Sequence, residues 1–176
     1  MRKARFPERA LLFMGALYSD PEIFGRTGTI LGEHFGEIFL ISPAVPWDHS
    51  SHYRDELGLP INRRFVFFRN LFDTGTLADI KLKTNEIEDA LSLDGKRRIN
   101  LDPGYITLAK VVLASTKNYS HRICLGKGIY AEITLIYRHN TKTFTPHMFT
   151  YTDYQDKENL ETVSYTHLTL PTKRIV

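Results

Sequence analysis

Apolar runs and helical periodicities alternate through the first part of the chain. Residues 10–18, ALLFMGALY, are almost wholly apolar and stop before Asp20 and Pro21. That pattern predicts a buried strand followed by a turn. Residues 21–36 then repeat apolar side chains at near-helical spacing, which predicts a helix with Asp20 as N-cap and Pro21 at the first helical position. The following EIFLIS at residues 37–42 predicts a second strand.

The middle of the chain predicts a loop, a strand and a helix. Residues 44–60, AVPWDHSSHYRDELGLP, are polar and irregular, which favours a long loop with one helical turn. Residues 62–73, NRRFVFFRNLFD, predict a third strand. Thr76 opens a capping-box pattern with Asp79, which predicts the start of a helix. The apolar face of that helix carries Leu77, Ile80, Ile87 and Leu91.

The second half begins with turn signals. Asp94-Gly95 leads into RRINL, a predicted fourth strand, and Asp102-Pro103-Gly104 reads as a second turn. Residues 106–116, ITLAKVVLAST, fit a helix or a buried strand. We favour the helix, although its β-branched residues weaken that interpretation. Its inward positions would be Leu108, Val111, Val112 and Ser115.

The last part of the pattern predicts an antiparallel meander. SHRICL, GIYAEITLIYRH and TFTPHMF read as three strands, joined by turns at GKG and NTK. Strands interleaved with two or three helices indicate a single α+β domain. Its sheet is expected to be mixed or antiparallel, with helices mainly on one face and the meander at the C-terminal end.

Composition narrows the class of protein. The length of 176 residues, with 42% hydrophobic and 24% charged residues, fits one globular domain. No apolar run approaches the roughly 18 residues of a membrane span. The basic N-terminal lead lacks a cleavage site, so a buried strand explains it better than a signal peptide. Cys124 is the only cysteine, which excludes an internal disulfide and favours a cytoplasmic setting.

The last residues do not read like the rest of the domain. VSYTHLTLPTKRIV, residues 163–176, resembles a translated sequencing adapter, so we assign residues 1–162 to the native domain and expect the tail to pack poorly. Removing Lys173 and Arg174 lowers Lys plus Arg from 23 to 21 against 20 acidic residues, a net charge of +1. That value gives no bulk electrostatic case for nucleic-acid binding.

Polar residues within strongly patterned elements mark the candidate chemistry. In the strand at residues 129–137, Ile129, Ala131, Ile133, Leu135 and Tyr137 alternate with Tyr130, Glu132 and Thr134, so the two sets are expected on opposite faces. Glu132 is then a carboxylate in mid-strand. Asp102, Lys110, His121 and Lys127 lie at the ends of neighbouring predicted elements, and their convergence with Glu132 is a hypothesis about topology.

Converged in this way, the residues would suit a phosphate-bearing substrate such as a nucleotide. Asp102 and Glu132 would hold a divalent cation such as Mg²⁺, and His121 would act as acid or base beside them. These three form the predicted catalytic set. Positive charge from lysine and arginine would neutralise phosphate oxygens, and two tyrosines complete the predicted ligand-binding set. That set consists of Lys110, Arg122, Lys127, Tyr105 and Tyr130.

Other interpretations stay open. The same polar face could belong to a non-catalytic module that binds a protein or RNA. The polar residues could also be structural pairs, for example Glu132 with Arg122 across the hairpin. A second cluster of possible metal ligands in the polar loop is a weaker hypothesis, because such spacing usually arises by accident. It comprises Asp48, His49, His52 and Asp55.

Three blocks of sequence carry a family resemblance. They are MGALYSD, LADIKLKTNEIE, and the long DGKRRINLDPGYITLAKVVLASTKNYSHRICLGKGIYAEITLIY. From Ala10 to about Tyr154 the chain resembles the bacterial family known as domain of unknown function 4416. The resemblance implies no activity. Some members are labelled GTP-binding proteins, but this chain has neither a P-loop nor an NKxD motif. Members continue past TYTDYQDKENLE with a terminal helix, so we expect this sequence to be truncated there.

Overall fold

Nine strands of the described chain join one antiparallel sheet. The structure, a computed structural model, describes residues 3–168. The sheet order is β2-β4-β1-β5-β6-β8-β7, with the short β3 on β4 and β9 on β8. The strands are β1 (Ala10–Tyr18), β2 (Ile38–Ile41), β3 (Val45–Pro46), β4 (Asn62–Phe72), β5 (Ile99–Ile106), β6 (Lys110–Ser115), β7 (Ile123–Gly126), β8 (Ile129–Arg138) and β9 (Thr143–Pro146).

The helices cover both faces of this sheet. They are α1 (Pro21–Phe35), α2 (Ser51–Leu57), α3 (Leu77–Ala90) and α4 (Lys157–Leu168), with 3₁₀ turns at Thr74–Thr76 and Thr152–Gln155. The two longest, α1 and α3, share a core with alternate residues of β1 such as Met14. Phe13 points to the other face and packs in a second core with Val163 of α4. The predicted α+β class is confirmed, as is the C-terminal meander.

Local capping agrees with the sequence at one helix and not at another. The Asp20 carboxylate accepts a hydrogen bond of 2.9 Å from Glu22 N, as predicted for the N-cap of α1. The prediction of a capping box at Thr76 is wrong, because the Thr76 hydroxyl makes no capping hydrogen bond to α3. Instead Asp73 caps the preceding 3₁₀ turn through Gly75 N, at 2.8 Å.

The predicted turn at Asp102-Pro103-Gly104 is wrong, since all three residues lie inside β5. Gly104 is needed there for close packing of the strands and not for a turn. A Cβ at this position would lie 2.5 Å from Val112 O and 2.8 Å from the Phe13 ring, so only glycine lets β5, β6 and Phe13 approach so closely. Pro103 is tolerated because the pairing of β5 with β6 begins only at Gly104.

The helix predicted across residues 106–116 is also wrong, because this segment is the end of β5 and the strand β6. Val111 packs in the second core, whereas Val112 packs beneath α3. A strand buried on both faces has a continuous apolar sequence, which periodicity alone does not distinguish from a buried helix. Leu108, predicted to point inward, is 38% exposed.

An irregularity in β8 breaks the predicted alternation. Val112 pairs with Ile133 but Val111 pairs with Leu135, so one extra residue of β8 lies between them. Leu135 therefore enters the second core together with Leu113, the partner of Glu132. Ile133, predicted to be buried, is 44% exposed.

The C-terminal segment contributes to the second core in its first residues. Val163 and Thr166 are fully buried, so the expected poor packing does not begin at Val163. The side chain of Leu168 and all of Leu170 lie outside the described residues. Within residues 3–168, no helix combines the length and the apolar character needed to cross a membrane.

Candidate functional site

The sheet divides where β5 and β6 separate. The two strands pair only from Gly104–Leu113 to Ile106–Val111, and below this point β6 continues on β8 while β5 continues on β1. Two buried side chains of α3 replace the missing ladder at Leu101. Glu88 accepts from Leu101 N at 2.5 Å, and Lys81 donates to Leu101 O at 2.8 Å. The division of the sheet is thus a built feature in which backbone groups keep their partners.

Two adjoining pockets occupy this division. One has a volume of about 230 Å³ and extends towards Trp47 and the turn at Thr152–Gln155. The other has a volume of about 370 Å³ and extends towards α3. Five residues line both pockets, and we call them the junction: Tyr53, Asp102, Ser115, Lys117 and Tyr151.

Asp102 is the central carboxylate of the junction. Its Oδ2 atom accepts a hydrogen bond of 2.9 Å from Asn100, and Arg63 Nη1 lies 3.7 Å from the same oxygen. Lys81 Nζ lies 3.9 Å from Oδ1, which is an ion pair without a hydrogen bond. The Asp102 side chain is 30% exposed. Oδ1 therefore has acceptor capacity left over.

Lys117 supplies the opposite charge. The residue is exposed and lies two positions after the end of β6, and its ammonium forms no ion pair or hydrogen bond with the described residues. Its backbone is nevertheless fixed. Lys117 N donates to Ser115 Oγ at 3.1 Å, and Lys117 O accepts from Arg122 Nη1 at 2.9 Å. The backbone of Lys117 is therefore held in place, while its side chain is available to a ligand.

A buried ion pair forms one wall of the smaller pocket. Arg63 of β4 donates through Nη2 to Asp153, which also accepts a hydrogen bond of 3.1 Å from the Trp47 indole. Burial acts to lower the pKa of Arg63, but Asp153, Tyr154 and Asp102 together outweigh burial, so the pKa is raised. Gly15 of β1 gives this pair its space, because a Cβ there would lie 2.7 Å from Arg63 Nη1 and 3.0 Å from Tyr154 Oη.

The two tyrosines of the junction remain phenols at neutral pH. Burial, and secondarily the Asp102 charge, raise the pKa of Tyr53 to about 12. Burial also raises the pKa of Tyr151, although Arg122 acts to lower it. The Tyr53 hydroxyl donates to Asn100 at 3.5 Å, and the Tyr151 hydroxyl accepts from Arg122. The junction is thus flanked by aromatic rings anchored at their polar ends.

Glu132, predicted to be catalytic, is 3% exposed and engaged at both oxygens. Oε2 accepts from Arg122 Nε at 2.7 Å and lies 3.0 Å from His121 Nε2, while Oε1 accepts from Thr134 at 3.2 Å. The alternative of a Glu132–Arg122 pair across the hairpin is therefore the arrangement that the structure contains. The His121 ring stacks on Phe149 with centroids 4.6 Å apart.

Asp102 and Glu132 do lie on one face of the sheet and line the same pocket, as the shared-site hypothesis requires. Their predicted separation of about 10 Å stays a prediction. The shared magnesium gains no support, because Arg122, His121 and Thr134 already occupy the Glu132 oxygens. Among residues 3–168, no three His, Cys, Asp or Glu side chains gather as a metal site.

Four other predicted ligand contacts lie away from the two pockets. Lys110 begins β6 at the end opposite Ser115, and not at the first turn of a helix. Lys127 lies in the β7–β8 turn, where its ammonium pairs with Asp79. Tyr105 packs beneath α3, on the other face of the sheet from Asp102. Tyr130 pairs with Ser115 along β8 but lines neither pocket.

The second cluster of possible metal ligands is also dispersed among other partners. Asp48 accepts from Arg54, and His49 Nε2 lies 3.0 Å from Asp156. His52 stacks edge-on against Tyr53. The loop nevertheless contributes to the site, because His49 lines the smaller pocket and His52 the larger one.

Three pocket-lining residues of α3 had a signal that the hydrophobic pattern of the sequence obscures. Lys81, Asn85 and Glu88 lie at helical positions i, i+4 and i+7 of α3, and all three line the larger pocket. A polar stripe beside the apolar face of a helix usually indicates a solvated face. Here the stripe is partly buried, because α3 lies over the division between β5 and β6.

Comparison with known proteins identifies the family and goes no further. No curated protein and no solved structure gave a significant match to the chain. The sequence model described as a domain of unknown function, DUF4416, matches residues 8–166, which include every element from β1 to most of α4. The chain therefore belongs to the DUF4416 family.

Proposed function

We propose that the junction binds a small phosphate-bearing molecule of about the size of a nucleotide. One observation carries the proposal. Lys117 and Asp102 line the same two pockets, bear opposite charges and do not pair with each other, while the Lys117 ammonium and Asp102 Oδ1 lack hydrogen bonds within the described chain. A ligand with an anionic group and a nearby hydroxyl or amine would satisfy both.

The charges around the junction support this choice. Arg63 is held by Asp153, Arg122 by Glu132, and Arg97 by Glu56 at 2.6 Å. Each of these cations is paired with a carboxylate, as is Lys81 beside Asp102. Lys117 is therefore the pocket-lining lysine or arginine whose charge is not already paired within the described chain, and it is the group best placed to meet a phosphate oxygen. A lysine binds phosphate as a point charge, which is effective where water is partly excluded.

The size and lining of the pockets fit the same ligand class. The larger pocket, of about 370 Å³, lies in the range of small-molecule sites, and the smaller pocket of about 230 Å³ adds space on the other side of the shared junction. Tyr53 and Tyr151 offer ring faces against which the flat or apolar part of a ligand would pack. The proposal concerns binding alone, because His121 and Glu132 are engaged with each other and leave no assigned acid or base.

A ligand screen tests the proposal. Thermal unfolding would be followed with inorganic phosphate, ribose 5-phosphate and adenosine 5′-monophosphate, and any compound that raises Tm would be measured by calorimetry. Binding raises Tm by mass action. Lys117→Gln should weaken binding by roughly tenfold or more, which corresponds to one charged hydrogen bond. Lys127→Gln is the matched control, since Lys127 is an exposed lysine outside the pockets.

Two results would count against the proposal. One is the absence of any Tm increase with all three phosphate compounds. The other is equal binding by wild type and Lys117→Gln, which would move the phosphate group elsewhere. Binding of a single-stranded RNA oligomer without binding of the small compounds would favour the non-catalytic RNA module instead.

A further inference from the structure

Arg122 lies behind the junction and contacts the two walls between which the ligand would bind. One wall is the end of β6 with Ser115 and Lys117, and the other is the segment around Tyr151 that leads into the 3₁₀ turn. The Arg122 side chain is 1% exposed and lies on the chain between Lys117 and β7. It therefore has no direct route to a phosphate group, contrary to the role predicted from its sequence position.

The guanidinium makes contacts to both walls at once. Nη1 donates to Ser115 Oγ at 3.0 Å and to Lys117 O at 2.9 Å. Nη2 donates to the Tyr151 hydroxyl, and the Arg122 guanidinium carbon lies 5.5 Å from the Tyr151 ring centroid. No other side chain of the described chain hydrogen-bonds to both Lys117 O and Tyr151.

Glu132 holds Arg122 in this position. It accepts from Nε at 2.7 Å, opposite the two Nη atoms that reach the walls. Glu132 is itself fixed by His121 and Thr134. Because the fork of a guanidinium is planar, fixing Nε also fixes the directions of Nη1 and Nη2.

We propose that Arg122 is a positioning residue that holds the two walls of the junction at the separation a ligand requires. Lysine could keep the charge next to Glu132 but has no rigid fork with which to reach Ser115, Lys117 and Tyr151 together. The role of Arg122 in affinity rests on the proposed function. The link between the walls does not, because it exists without a ligand.

Hydrogen exchange followed by mass spectrometry tests the link in the ligand-free protein. In Arg122→Lys, exchange should rise roughly tenfold or more in peptides covering residues 115–119 and residues 148–154 together. Exchange in β1 and β4 should stay unchanged, which separates a local effect from a general loss of stability. Arg69→Lys is the control, because Arg69 forms an exposed pair with Glu37 at 2.7 Å.

Two milder variants divide the link into its halves. Tyr151→Phe removes the hydroxyl that accepts from Nη2 and should loosen residues 148–154 alone. Ser115→Ala removes one acceptor of Nη1 and should affect residues 115–119 alone; because Ser115 Oγ also accepts from Lys117 N, the link is read from the amides of this segment other than that of Lys117. These variants decide the matter even where Arg122→Lys does not fold. Unchanged exchange in both, or a rise spread evenly over the whole sheet, would overturn the proposal.

Affinity for adenosine 5′-monophosphate gives the functional arm. Tyr151→Phe should weaken binding severalfold in the wild-type background and should add nothing in the Arg122→Lys background, because the link is already broken. Additive losses would overturn the positioning role and assign the Tyr151 hydroxyl to the ligand directly. Failure of wild type to bind any phosphate compound would refute the proposed function, while the exchange data would still decide the link.

Discussion

Two carboxylates on one face of the sheet have opposite surroundings. Glu132 is 3% exposed, and its oxygens accept from Arg122 and Thr134 and contact His121. Asp102 is 30% exposed in its side chain, accepts one hydrogen bond and has two cations at 3.7 and 3.9 Å. We call the Glu132 carboxylate closed, because protein groups contact both of its oxygens. We call the Asp102 carboxylate open, because its Oδ1 atom accepts no hydrogen bond within the described chain. The sequence shows Glu132 as an acidic residue in a strand and Asp102 as one at an apparent turn, and neither context reveals which oxygens the protein engages.

The contrast follows from the course of the strands. At Glu132, β8 is paired with β6, and its pairing with β7 ends one residue earlier at Ala131, so the carboxylate is surrounded by protein partners. At Asp102, β5 has lost β6 as a neighbour, and the vacated space forms the two pockets. Burying a charge demands a full set of partners, whereas a charge beside a cleft can leave one oxygen for a ligand.

Among the substitutions that test this contrast, Glu132→Gln is expected to have the largest effect on stability. It leaves the Arg122 guanidinium buried without its counter-charge, and removing one member of a buried pair typically costs about 3–5 kcal/mol. Because glutamine still accepts one hydrogen bond, we expect a loss near the lower limit in the free energy of unfolding, measured by urea denaturation. Glu37→Gln, in an exposed pair with Arg69, should lose less than about 1 kcal/mol. Equal stability of Glu132→Gln and wild type would contradict the closed assignment.

Most elements were predictable because their patterns are local. The apolar run of β1, the Asp20 cap of α1 and the hairpins of the meander all appear where the sequence places them. The errors have non-local causes. Gly104 and Pro103 look like a turn in sequence, but Gly104 answers the approach of Val112 and Phe13 from other strands. Such contacts have no trace in the residues next to Gly104.

The site was predictable only in part for the same reason. Asp102 and Glu132 were expected together, and both line the smaller pocket. Lys117 was not among the predicted ligand residues, because an exposed lysine after a strand is the usual composition of a solvated loop. Its position beside both pockets follows from the separation of β5 and β6. The Arg63–Asp153 pair joins residues 90 positions apart, which periodicity within a segment cannot detect.

A smaller effect on stability, with a large effect on binding, is expected for Asp102→Asn. The hydrogen bond from Asn100 can be kept by the new amide oxygen, and the side chain is partly solvated. We expect the free energy of unfolding to fall by about 1 kcal/mol or less. Affinity for adenosine 5′-monophosphate should fall roughly tenfold or more, because an ionised acceptor is lost at the junction. Asp79→Asn, at an exposed pair outside the pockets, is the control for a general charge effect.

The opposite outcome for Asp102→Asn would reverse the comparison. A loss of stability as large as that of Glu132→Gln, with unchanged binding, would make Asp102 the structural counter-charge of Arg63 and Lys81. The open oxygen would then be a consequence of packing rather than a ligand contact.

The smallest expected effect tests a pair between the two extremes. Arg97 donates to both oxygens of Glu56, at 2.6 and 2.7 Å, and the Glu56 side chain is 23% exposed. The hydrogen bond from Arg97 holds the pKa of Glu56 below its usual value of 4.5. A carboxyl whose pKa is lower in the folded state stabilises the protein above its unfolded pKa. That stability is lost as the pH falls through the folded value.

We therefore expect Glu56→Gln to lower the free energy of unfolding by less than about 1 kcal/mol at pH 7. The difference from wild type should shrink towards zero once the pH is below the folded pKa of Glu56. Urea denaturation of both proteins across pH 3 to 7 measures it, with Glu37→Gln, a variant of the exposed pair with Arg69, as the control. A difference that grows as the pH falls would show that the Arg97 pair does not act through the charge of Glu56.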